Sequence, residues 1–396
     1  MTCEIPKPRK YPFKTLYLSA FILAFHLYFV MYMNSSFLSL FVGEARIGIV
    51  YIVSAILSIV SLVYVSRVLR ILGNYRLLVT LTLIEFLAFL GLAFLHNIYL
   101  IIPLFIVYSI IFPLLFFNLD IFLECLITES KRETRTGSIR GIYITFTNLA
   151  LILAPLIAGL ILNGDAYGKI YFISALLLIP FLVVISRYQG FKDPVYHDIQ
   201  LRETLGCMKG NDDLKNIFAV ESILQLFFAC AGIYMPLYLH AHIGFDWPEI
   251  GIMIAIMLLP YVLIEYPAGR LADVFGERKI LVLGFIICGL FTGLIAFMPI
   301  VPNVVFWTAI MFVIRIGASL VEITTESYFF KHVGGSDNNT ISFFRITMPV
   351  SYITGPLVGT LALSFLDFRY FWIILGMLLF IGIFYSLQLK PIRQAQ

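Results

Sequence analysis

Arg315, Glu322 and Glu326 lie seven and four residues apart in one long apolar run. At about 100° per residue, those spacings put all three within about 20° of one helical direction. At about 1.5 Å of rise per residue, they spread over about 16 Å along the axis. An ionisable group inside hydrocarbon costs several kcal/mol, so an arginine near the middle of such a run needs a carboxylate or another polar partner. Glu322 stands about 10 Å along the same face, which leaves room for a solute or water between the two charges. Glu326 falls close to the interface, where it is solvated or pairs with a loop. Asp120 and Glu124 form a second set, spaced i, i+4 and so on one face of their own run. Asp120 is placed deep enough to face a polar cavity and Glu124 nearer the interface. Carboxylates in both runs suit a carrier coupled to protons or another cation, because burial makes a carboxylate hold a proton more readily.

Three further polar groups lie within apolar runs. His26 is the one histidine within an apolar core, followed by Tyr28, Tyr32 and Asn34; it is a hydrogen-bonded packing residue or a proton relay. Glu85 sits near the middle of its run with no partner evident in the sequence, as a helix–helix hydrogen bond or as a functional acid. Glu221 and Gln225 share a face, but Glu221 lies only about one turn into its run and reads as interfacial.

The elements that must position these groups follow from composition. Of 396 residues, 61% are hydrophobic and 13% charged, against about 25% charged in a soluble domain. Apolar runs recur from end to end with no polar domain between them. Each crossing needs about 20 residues. Twelve candidate spans lie near 13–42, 48–66, 77–96, 98–127, 138–163, 169–187, 216–240, 247–268, 280–299, 302–331, 341–365 and 369–389. The expected class is an all-α membrane protein of twelve transmembrane helices in two pseudo-symmetric six-helix bundles.

The basic residues orient the spans. With the N-terminus in the cytoplasm, only Arg46, Lys169 and Arg369 of the 27 basic residues fall outside, and Arg315 lies within a span. That bias predicts a multi-pass protein of the cell membrane with both termini cytoplasmic. The net charge of +4 belongs to those loops and does not point to nucleic acid. The five cysteines (Cys3, Cys125, Cys207, Cys230, Cys288) have neither paired nor metal-ligand spacing. The basic, proline-broken start runs into a segment too long for a signal-peptide core, so the first span is expected to be retained.

The longest polar stretch, Arg187–Lys215, divides the chain into a bundle at 1–187, a cytoplasmic linker at 188–215 and a bundle at 216–396. The halves read as a repeat. Gly48 and Gly251 each open a span, Gly73 and Gly276 each sit in the following loop, and both pairs are 203 residues apart.

Gly269–Lys279, read as GRLADVFGERK, is expected to be a short charged loop between two apolar runs. Gly269, Leu271, Ala272, Asp273, Gly276, Arg278 and Lys279 resemble the signature loop of the major facilitator superfamily, with Val274 and Glu277 where that family usually has arginine. The first half's copy, Ser66–Arg76, keeps Gly73 and Arg76 but has Arg70 in place of the aspartate. The resemblance implies alternating access by two rocking halves. It implies a central cavity lined by the first, fourth, seventh and tenth spans. It also implies a cytoplasmic latch in which Asp273 meets Arg140 and Arg278 approaches Glu326. Glycine–proline patterns at Ala154–Gly159 and Gly355–Gly359 resemble a weakened form of the fifth-span motif of drug–proton antiporters of that family; close helix packing is the alternative reading.

The function expected is secondary active transport of a small solute by a monomer in the lipid bilayer. It needs no cofactor and is driven by a gradient of protons or another cation. Proton-coupled efflux of amphipathic compounds is the favoured mode, and proton-coupled uptake of a polar solute such as a sugar or organic acid is the alternative. A non-transporting receptor is the alternative from another class. The sequence shows no phosphate-binding glycine loop, zinc pattern or nucleophile elbow, which speaks against an ATP-driven pump, and no extended outside loop with paired polar residues, which speaks against an enzyme.

Overall fold

A computed structural model of the chain describes residues 13–129, 136–162, 164–196, 212–333 and 338–390. Its helices are α1 (Phe13–Met31), α2 (Asn34–Val42), α3 (Glu44–Leu72), α4 (Asn74–Phe94), α5 (Ile98–Glu129), α6 (Thr136–Ile161) and α7 (Tyr167–Ile185) in the first part of the chain. After the central polar stretch come α8 (Asp212–Tyr238), α9 (Trp247–Leu263), α10 (Glu265–Phe275), α11 (Glu277–Leu294), α12 (Val304–Val333), α13 (Asn338–Phe365) and α14 (Phe368–Gln388). Among the described residues, eleven helical segments are long and apolar enough to cross a membrane, and the shorter apolar Trp247–Tyr261 occupies the place of the expected eighth span. Large side chains such as Ile71, Tyr99 and Phe365 stand almost fully exposed, an arrangement suited to lipid and not to water.

The helices form two compact units, one of Met1–Phe37 with Val53–Ile199 and one of Leu38–Ile52 with Gln200–Gln396. Within the first unit, the expected span 13–42 is broken at Tyr32–Met33 into α1 and α2. Asn34 opens α2, and its side chain is engaged elsewhere: it donates to the Tyr108 hydroxyl at 3.3 Å and accepts from Tyr171 at 2.8 Å. Asparagine that bonds sideways favours helix ends over interiors. α5 runs 32 residues, with Pro103 and Pro113 inside it.

α4 begins after Gly73, whose φ of 75° and ψ of 159° glycine adopts without strain. The Asn74 amide donates to Asp193 Oδ1 at 2.7 Å, and the Tyr196 hydroxyl donates to the same oxygen at 2.6 Å. A carboxylate from the central polar stretch thus satisfies one of the free amides at the start of α4. Gly276, 203 positions on, repeats the conformation at the start of α11 with φ 87° and ψ 139°.

In the second unit, α8 ends in a single π turn, Leu239–Ile243, closed by Gly244 with φ 89°. α9 starts with a capping box between Asp246 and Glu249 and has a proline in its first turn. The expected eighth span, 247–268, does not run through. α9 stops at Leu263, and α10 restarts at Glu265 with Pro267 in its first turn, where a missing amide does no harm. The expected loop Gly269–Lys279 is mostly helix: Gly269–Phe275 lie in α10, the turn is confined to Gly276, and Arg278 and Lys279 already belong to α11. Ala268 and Ala272, one turn apart, give α10 a small-residue face that packs with Ile280 and Leu320, and this burial outweighs the loop-like composition.

Close backbone approach, the usual packing mode inside a bilayer, organises this unit. A Cβ on Gly317 would lie 2.6 Å from the Cys288 amide nitrogen, and one on Gly376 would lie 2.7 Å from the Gly289 carbonyl. Gly48, at the start of α3, is packed so closely on α13 that a Cβ would stand 2.6 Å from the Pro356 carbonyl; nearby, Glu44 accepts from His242 Nε2 at 2.9 Å. Those contacts explain why Leu38–Ile52 counts with the second unit.

Candidate functional site

Arg315 lies on α12 with 8% of its surface exposed. Its Nη1 donates to the Tyr261 hydroxyl at 2.6 Å, and Nη2 lies 4.0 Å from Met257 Sδ, both on α9. The guanidinium carbon is 5.1 Å from the Tyr261 ring centroid and 5.3 Å from that of Phe228, on α8. The two rings pack against each other edge to face at 6.3 Å. Two aromatic faces and a phenol therefore surround the cation expected at mid-span, an arrangement worth up to about 2 kcal/mol or more once water is excluded. Guanidinium is the cation suited to such a place, being planar, weakly hydrated and permanently charged. Three helices converge here because Phe228, Tyr261 and Arg315 each sit on the inner face of their own helix.

The other residues of the α12 set are spread along it. Glu322, two turns on, is half-buried, and Glu326 is exposed. Glu221, expected at the interface, is instead 6% exposed. Its Oε1 accepts from Gln225 Nε2 at 2.8 Å, while its Oε2 has no hydrogen bond among the described residues. The packing of α8 against α13 and α12 buries it where span position alone placed it near water.

The first unit brings together two candidates that the sequence left separate. His26 on α1 and Glu85 on α4 are both 0% exposed, with His26 Nε2 3.5 Å from Glu85 Oε1. Ser174 on α7, which sequence reasoning did not single out, is the third member: its carbonyl lies 2.7 Å, and its Oγ 2.8 Å, from His26 Nδ1. Glu85 thus has a partner after all. Asp120 is exposed on α5, and Glu124 is half-buried one turn beyond it.

Of the expected latch, Arg278 and Lys279 are exposed in the first turn of α11. The backbones of Gly269 and Asp273 lie in α10 and that of Arg140 in α6, but the side chains of Asp273 and Arg140 lie outside the described residues. The glycines of the expected antiporter-like pattern serve packing in α13. A Cβ on Gly355 would stand 3.1 Å from Ala229 Cβ, and one on Gly359 would overlap the Tyr234 ring.

Tyr261, Phe228 and Ser174 escaped the sequence because nothing local marks them. Each is one of many aromatic or hydroxyl residues in its run, and only the packing of separate helices selects it.

Residues 217–395 match the family model described as Major Facilitator Superfamily. The fold is shared with solved structures at low sequence identity. A variant of the nucleoside transporter NupG is 14% identical with a TM-score of 0.77, covering 95% of this chain and 99% of that one. A POT family transporter in complex with a thioalcohol-conjugated peptide is 13% identical with a TM-score of 0.71, covering 95% and 94%. A peptide transporter POT variant with sulfate is 12% identical with a TM-score of 0.72, covering 97% and 96%. The family match thus covers the second half of the chain, and the fold over nearly its whole length is the one seen in these solved transporters.

Proposed function

We propose that the protein is a proton-coupled carrier of a small solute that has a hydrogen-bond acceptor or anionic group beside a planar face. The observation that carries this reading is the setting of Arg315, whose guanidinium is held between Phe228 and Tyr261. A guanidinium presents a fork of donors to an acceptor, and the two rings offer stacking surface to a planar group. Transport follows the alternating access of the superfamily, with the two halves rocking about the solute. Solutes of the kinds named for the solved relatives, nucleosides and peptides, have acceptor groups of this sort.

Uptake is the direction we favour over efflux. The glycine–proline pattern of α13, which resembled an antiporter motif, is accounted for by the packing of Gly355 and Gly359 against α8. The segment Gly269–Lys279 acts as a latch on the cytoplasmic side through Asp273, and Asp273→Asn is expected to cut transport while leaving the amount of protein in the membrane unchanged.

Thermal unfolding of the purified full chain against a library of nucleosides, short peptides, sugars and organic acids tests the solute site. A solute that binds the folded state raises the melting temperature by mass action. Solutes with both features should stabilise the wild type and not Arg315→Ala. A hit that stabilises both equally would place the solute site elsewhere.

A further inference from the structure

The pair His26–Glu85 is cut off from solvent, both residues being 0% exposed. His26 Nδ1 lies 2.7 Å from the Ser174 carbonyl oxygen, which can only accept. Nδ1 therefore has the hydrogen, and the Ser174 hydroxyl is turned to donate to the His26 carbonyl at 2.7 Å. With Nδ1 protonated, Nε2 faces Glu85 as a lone pair in neutral histidine or as an N–H in imidazolium. Opposite a lone pair, Glu85 must itself be the acid; opposite an N–H it is the carboxylate. Both arrangements leave one proton on the pair, whose Nε2 and Oε1 are 3.5 Å apart and not hydrogen-bonded to each other. The arrangement without that proton sets a buried carboxylate against a lone pair, with both groups shut off from water.

The described groups that touch the pair are an aromatic ring and a serine. Phe89 packs on the imidazole at 4.5 Å, tilted by 45°, and in turn meets Tyr108 of α5 at 5.1 Å and Tyr171 of α7 at 5.6 Å. Those two phenols are engaged with Asn34. On α6, which packs on α1, Tyr143 is a third buried phenol. Asp120 and Glu124 lie roughly three to four turns along α5 from Tyr108. Lys169 lies about 7.5 Å along α7 from Ser174 and is exposed.

We infer that His26 and Glu85, with Ser174 fixing the tautomer, form a one-proton binding site inside the first unit, occupied in the packing seen here and emptied only when α1 and α4 move apart. This rests on the proton-coupled reading above and names the groups that hold the driving ion. The reaction is a proton transfer alone: the proton held by the pair passes to water once the pair is exposed, leaving a solvated carboxylate and a neutral imidazole. Because the deprotonated pair is incompatible with the closed packing, proton occupancy biases the conformational equilibrium, which is the requirement for coupling.

Infrared difference spectroscopy of the full chain in lipid vesicles, taken between acid and alkaline buffer, reads the site without any solute. The wild type should show one protonation change that is missing in Glu85→Gln and shifted in its pH midpoint in His26→Gln. In vesicles with a solute taken from the library, Glu85→Gln should lose gradient-driven accumulation at least tenfold, with a flattened pH profile. Its solute exchange without a gradient should remain within about twofold of wild type. Unchanged melting of Glu85→Gln separates this from misfolding. If Glu85→Gln keeps both the wild-type difference spectrum and its pH profile, the pair does not hold the coupling proton and the inference falls. A wild type that shows the Glu85 signal but moves no solute with a pH gradient would sink the transport coupling proposed earlier while leaving the proton site standing.

Discussion

At the scale of residues, the cost of a buried charge makes Arg315 visible from sequence, and the same rule fails to show what surrounds it. An arginine in an apolar run announces that it has partners. Which phenol and which ring they are depends on how α8, α9 and α12 turn towards one another, and no period within a single helix records that. His26 and Glu85 were legible one by one for the same reason and became a pair only in the packed unit. Glu221 shows the converse, since counting turns from the span end put it near water and a neighbouring helix covers it. The phenol of Tyr261 orients the guanidinium, so Tyr261→Phe, which keeps the ring and loses the bond, should weaken solute binding about tenfold. That is the lower end of the roughly 1.5–3 kcal/mol of a hydrogen bond to a charged group. Arg315→Lys should cost more, because an ammonium lacks both the fork and the planar stacking surface. Titration calorimetry with one solute of the library checks both, and equal affinities for wild type and Tyr261→Phe would leave the bond without a role in positioning.

At the scale of elements, apolar runs gave most span positions to within a few residues, while composition misled where small residues pack. GRLADVFGERK reads as a loop because of its charges and glycines, yet Ala268 and Ala272 make α10 a helix by burying one face. The start of α4 depended on a residue 119 positions away, Asp193, whose capping role no local pattern marks. Removing that cap in Asp193→Ala should destabilise the first unit by about 0.5–2 kcal/mol, read as a lower melting temperature. Gly73→Ala should cost roughly 1–2 kcal/mol, since alanine is strained at its φ of 75°. A Cβ there would also stand 2.5 Å from Asp193 Oδ2. If both variants melt like wild type, the polar stretch does not brace α4. In the second unit, Gly317→Val should prevent α11 and α12 from meeting, and a normal yield of folded protein would contradict the close backbone contact.

At the scale of the whole molecule, the all-helical, membrane-spanning architecture was legible, because a bilayer imposes length and apolarity on every crossing. Solute and direction were not, because they depend on a few side chains brought together from distant helices. The charge bias predicts that tags after Gly164 and Phe245 are reached by an impermeant reagent from outside and a tag after Asp193 only from inside. Outside labelling at Asp193 would overturn the orientation. The central claim, that a proton gradient drives a solute through an Arg315-centred site, is tested most directly by flux into proteoliposomes under an imposed pH gradient. The purified chain should accumulate a library solute when the outside is acid and stop when a protonophore collapses the gradient, and Arg315→Ala should accumulate none. Accumulation by the wild type that is indifferent to the gradient, or that persists in Arg315→Ala, would contradict the account.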